Sequence, residues 1–148
     1  MRLHLWLVFP KLSDQNHSIS SPSTDNYNCV AWAYEVSNKK MWPGAPEDYY
    51  WPPDVADTDE LQAMIKLFLN MGYVQCNNGQ REDVFKKVAI YVNQEGHPKH
   101  VARQLESGQW TSKLGALEDI EHDTLDILEG ESYGKATVFL KKRVVPSL

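Results

Sequence analysis

Cysteine is scarce in this chain: two residues in 148, Cys29 and Cys76. Two thiols make no disulfide framework, so both are expected to be free. No C-x-x-C pair exists, and the one H-x-x-H, His97 to His100, crosses a turn into a strand pattern rather than lying on a helix. Neither spacing suits zinc, and no metal or cofactor is expected. Long apolar runs are missing too. The N-terminal stretch LHLWLVF falls far short of the ~20 residues a membrane span requires, so no membrane partner is expected. One Arg precedes it, Pro10 and Lys11 cut it off, and no small-residue cleavage site follows. It reads as a helix or strand packed on the core rather than a signal peptide, which points to the cytoplasm or to export without a cleaved signal. Positive charge is in deficit, with 15 Lys and Arg against 20 Asp and Glu and a net charge of -5. That balance argues against a nucleic-acid partner held through its phosphates.

What is present fits one compact domain over residues 1–148, with 42% hydrophobic and 24% charged residues. Residues 12–28 are polar and rich in Ser and Asn, a long loop leading into the short apolar pattern Val30-Ala31-Trp32-Ala33. Asn28 or Asp25 supplies the oxygen that caps that helix. The stretch MWPGAPEDYYWPPD (41–54) holds four prolines among its aromatics, and proline excludes regular structure from most of it. Asp57 and Glu60 have capping-box spacing ahead of Leu61, Met64, Ile65, Phe68 and Met71, and Gly72 stops this helix. Lys87 to Asn93, about Lys99 to Leu105, and Gln109 to Lys113 read as three antiparallel strands. Leu117 to Leu128 is weakly helical, and Ala136, Val138 and Leu140 mark a last strand. The class is α+β: N-terminal helices packed on an antiparallel meander.

One pairing carries chemistry. Cys29 begins a helix, and His100 opens a separate strand. A thiol is activated by the positive end of a helix and by a neighbouring imidazole, with a third polar group orienting the ring. A neighbouring strand can carry that group, and Trp110, Thr111, Ser112 and Lys113 are the local candidates. Gln104, Glu118, Asp119 and His122 are others further along the chain. Cys76, near a turn, has neither activating feature.

The run HVARQLESGQWTS is similar to the H-V-x-x-Y-x-x-x-G-x-x-x-H pattern of the NlpC-type branch of papain-like cysteine peptidases. It sets His100 on the first histidine, Gly108 on the turn glycine, and Ser112 where that branch has a second polar residue. More closely, YNCVAWAY, YYWPP, KVAIYV, HVARQLESGQWTSKLG and EDIEH resemble an uncharacterised bacterial domain family across nearly the whole chain. Its motifs read NCxAWA, YWP, KVAxY, HAARQLxxGxWTSKLG and EDIxH. The resemblance implies a papain-like domain with Cys29 and His100 as nucleophile and base, and Ser112 as orienter. Tyr27, Trp51, Trp110 and Lys113 are the candidate substrate-binding residues, with Trp51 also covering the core and Lys113 either meeting an anion or solvated at a strand end. The implied reaction is acyl transfer on a peptide, amide or ester. The alternative is a non-catalytic domain of the same fold that binds a peptide or protein partner.

Overall fold

The computed structural model describes residues 2–144. A seven-stranded sheet dominates it, in the order β1-β8-β7-β6-β5-β9-β4, with antiparallel pairing throughout. The architecture is α+β with mostly β character. In chain order the elements are α1 (Leu3–Val8), β1 (His17–Ser21), α2 (Cys29–Ala33), the two-residue strands β2 (Lys40–Met41) and β3 (Tyr49–Tyr50), and α3 (Glu60–Asn70). Then come β4 (Val74–Cys76), β5 (Phe85–Val92), β6 (Pro98–Gln104), β7 (Trp110–Lys113), β8 (Asp119–His122) and β9 (Lys135–Arg143).

The alternating side chains of β5 separate two cores, as strand geometry requires. Val88, Ile90 and Val92 face one cluster, with Val30, Ala31 and Ala33 of α2 and Ala63, Met64, Leu67 and Phe68 of α3. Ala89 and Tyr91 face the other, with Leu5, Phe9, Ala102, Trp110, Ile120 and Leu128. β6 divides the same way: Val101 belongs to the helix-side cluster and Ala102 to the opposite one.

Several sequence readings shift. The polar segment before Cys29 is not all loop, because His17–Ser21 pairs with β8 as an edge strand. The α3 helix is capped by Asp59, whose side chain accepts from Gln62 N, and not by Asp57. Asp57 instead pairs with Lys66 at 2.7 Å. The weakly helical segment after Leu117 is a strand, β8, followed by a 3-10 turn at Leu125–Leu128. Its neighbours β7 and β1 override a local pattern too short to hold a helix alone. In α1 only Leu5 is buried, while Leu3, Trp6 and Leu7 are exposed. β2 and β3 form one short parallel pair within the proline-rich stretch.

Candidate functional site

Asn28 builds the start of α2. Its side-chain oxygen accepts from Ala31 N and Met41 N, and its amide donates to the Met41 carbonyl at 2.7 Å. The turn is thereby tied to β2, and Cys29 is seated in the helix-side core. The backbone N–H groups of Val30 and Val101 face its sulfur and favour thiolate, as does the Lys113 ammonium. Burial outweighs them and pushes the thiol up to about 11. A five-residue helix has too few aligned peptides to reverse that desolvation. At neutral pH the group is a thiol.

His100 lies on β6, fully buried and directly opposite Tyr91 of β5. Its Nε2 is 2.9 Å from Ser112 Oγ, which is in turn 2.8 Å from His122 Nε2. His122 Nδ1 donates to the Thr124 carbonyl at 2.9 Å. These are diagonal cross-strand neighbours on one face. Ser112 is registered opposite Ile120, two residues before His122, and the β6–β7 pairing of Arg103 with Thr111 brings Ser112 beside Ala102, two residues after His100. Burial holds the His122 imidazole down at about 4, and burial with the neighbouring His122 holds His100 well below its ordinary range. Both rings are neutral at pH 7. Among the described residues, His100 Nδ1 has no hydrogen-bond partner although it is buried.

The structure thus brings His100 and Ser112 together and adds His122, but forms no Cys29–His100 hydrogen bond among the described residues. The two residues still share a neighbourhood. Val101, next to His100, turns its N–H to the sulfur, and the β6–β7 ladder pairs only Arg103 and Gln104 with Thr111 and Trp110. The Tyr133 ring stacks on His100, and burial, with a smaller contribution from the Cys29 sulfur, pushes its hydroxyl well above the ordinary range. Tyr133 stands on a hairpin closed by reciprocal backbone bonds between Gly130 and Gly134. Those glycines also line a surface hollow of about 810 Å³ with Lys11, Asn93, Glu95 and Lys135.

Of the candidate binding residues, Tyr27 and Lys113 lie together, whereas Trp51 and Trp110 belong to different cores. Tyr27 donates to the Asp119 carboxylate; burial, and then that bond, raise it to about 12, and its ring tilts against Trp32. Lys113 is not a solvated strand-end lysine. It is fully buried, bonded to the carbonyls of Gly115 and Leu117, over the Tyr27 ring and near enough to influence Cys29. Trp51 is a core side chain bonded to the Val55 carbonyl, as its core-covering reading holds. Trp110 packs in the opposite core, against Gly79 and Leu125. Among the described residues no group of three or more His, Cys, Asp or Glu is arranged to hold a metal ion, and no helix is long and apolar enough to cross a membrane.

Set against known proteins, this α+β chain belongs to a domain family of unknown function, DUF7689, whose model matches residues 18–141. The match carries no link to papain-like peptidases. No curated protein and no solved structure matches the chain.

Proposed function

We propose that this domain is a cysteine hydrolase of papain-like, NlpC-type arrangement, held closed in its resting form. The reading rests on the unpartnered Nδ1 of His100, a buried basic nitrogen whose ring is fixed on its other side by Ser112. A helix beginning at Cys29 and packed on β6 and β7 agrees with it. So does the sulfur lying against the Val101 N–H. With a protonated thiol and a neutral imidazole, the chemistry is general-base catalysis rather than a standing ion pair. As sulfur bonds to an amide or ester carbonyl carbon, its proton passes to His100 Nδ1. That proton then goes to the departing amine or alcohol as its bond to carbon breaks. Water, deprotonated at the same nitrogen, cleaves the thioester and releases acid and free thiol. Substrate entry requires Tyr133 to leave the face of His100. The domain would act on a peptide, a side-chain amide or an ester.

A second reading has its own support. Cys29 packs in the helix-side core, whereas strand alternation gives His100 to the opposite face, with Tyr91 and Ala102. In that reading the domain binds a peptide or protein partner, and the histidines only cross-link β6, β7 and β8. Iodoacetamide labelling of Cys29 across pH separates the two, with Cys76→Ser as background. Acyl transfer requires His100→Ala to slow labelling near neutral pH. Labelling indifferent to His100 leaves the binding reading.

A further inference from the structure

The hydrogen bonds leading away from His100 take their direction from their fixed end. The Thr124 carbonyl can only accept, so the His122 nitrogen 2.9 Å from it, Nδ1, carries a proton. A neutral imidazole has one N–H, so His122 Nε2 is bare. The only hydrogen available between it and Ser112 Oγ, 2.8 Å away, is the serine hydroxyl's. Having given its hydrogen to His122, Ser112 accepts from His100, whose Nε2 is 2.9 Å off and must therefore be protonated. The His100 proton is then used, and Nδ1 is left as a lone pair. The reverse direction would put a hydrogen on Nδ1, a buried donor with no partner among the described residues. An unsatisfied buried donor is the costlier outcome.

We infer that His122 is a positioning residue: acting through Ser112, it holds His100 in the Nε2–H tautomer and reserves Nδ1 as a proton acceptor. The ring has little freedom to escape this setting. Tyr133 stacks on it with centroids 4.2 Å apart, and Tyr91 meets it edge-on at 5.2 Å. The use of Nδ1 as a catalytic base rests on the acyl-transfer reading, whereas the tautomer assignment does not.

Long-range proton–nitrogen NMR correlations of the imidazoles, near pH 7 on the full chain, test the assignment without substrate. The expected spectrum has His100 as its Nε2–H tautomer and His122 as its Nδ1–H tautomer. His100 found as Nδ1–H in the wild type overturns the inference without any variant. Ser112→Ala and His122→Leu are each expected to turn the His100 signals into a tautomer mixture. His122→Gln, which retains an acceptor near the Nε2 position, is expected to restore the Nε2–H form. A His100 tautomer unchanged in Ser112→Ala also overturns the inference. A His100 tautomer unchanged in folded His122→Leu overturns it too. If that variant does not fold, the wild-type spectrum still decides, since His122 found as its Nε2–H tautomer removes the acceptor on which the inference depends. Tautomers as assigned with no acylation of Cys29 would reject the hydrolase reading alone.

Discussion

The Tyr133 ring lies parallel to the His100 imidazole, 3° from coplanar, with centroids 4.2 Å apart. A strand histidine with one bonded and one free nitrogen is thereby covered by a side chain from a short hairpin. That relationship ties the candidate base to the hairpin, whose displacement would uncover it.

Removing the cover is expected to expose the thiol's environment. In wild type, iodoacetamide labelling of Cys29 should be slow, with a midpoint near 11, where burial sets it. Tyr133→Ala should speed labelling severalfold near neutral pH and lower the midpoint toward the ~8.5 of a free thiol. Mass spectrometry of the labelled peptide, in a Cys76→Ser background, checks both.

Gly134 has φ +76, and a Cβ there would lie 2.2 Å from the Val92 carbonyl oxygen. Gly134→Ala cannot keep the hairpin against β5. It is expected to cost about 1–3 kcal/mol and to accelerate Cys29 labelling in the manner of Tyr133→Ala. Chemical denaturation and the labelling rate measure the two effects. A variant as stable as wild type would show that the hairpin does not need its glycine.

Neutral buried histidines impose a pH dependence on the fold. His122 takes up its proton near pH 6.5 when unfolded but only at about 4 when folded. Between those values the unfolded chain binds more protons, so stability falls as pH drops from ~6.5 and His122 contributes no further loss below about 4. The loss from His122 is about 3 kcal/mol at ~1.36 kcal/mol per pH unit, and His100 adds to it in the same direction. Burial lowers the His122 imidazole most; the Thr124 carbonyl raises it, the facing His17 lowers it and the Asp123 carboxylate raises it. Urea unfolding at pH 7.5, 5.5 and 4.5 should show a steady fall that is reduced in His122→Gln.

Much of the fold could be read from residue pattern because the central strands are strongly alternating. Val88, Ile90 and Val92 against Ala89 and Tyr91 gave β5, and the turn Glu106-Ser107-Gly108 gave the step to β7. The edge strands were harder. In β1, HSISS lacks an apolar face because it is an exposed edge paired only with β8. β8 itself, DIEH, is four residues long and gains its strand character from partners far away in sequence. That explains why His122 stood among the remote candidates rather than the local ones. The spacing of Ser112 twelve residues after His100 marked one link of the chain, but nothing local showed that EDIEH would lie beside it. The burial of Lys113 was equally hidden, since a lysine at a strand end usually meets solvent, whereas a lone helical cysteine such as Cys29 is commonly a small buried hydrophobe. Both are enclosed here by contacts distant in sequence.

The helix cap offers a check on the fold alone. Asp59→Ala removes the bond to Gln62 N and is expected to cost about 1 kcal/mol. Asp57→Ala loses its pairing with Lys66 and a bond from Asp59 N. Surface pairs of this kind contribute up to about 1 kcal/mol and weaken with salt. Thermal melts at low and high salt should show a salt-insensitive loss for Asp59→Ala and a partly salt-dependent one for Asp57→Ala.

The acyl-transfer account is tested most directly by trapping the acyl-enzyme. Tyr133→Ala/Cys76→Ser protein, with and without His100→Ala, would be exposed to p-nitrophenyl acetate at neutral pH, quenched and mapped by mass spectrometry. The account predicts an acetyl group on Cys29 that forms and decays, and its loss when His100 is alanine. Cys29 left unmodified in folded protein, or acetylated equally without His100, would contradict it.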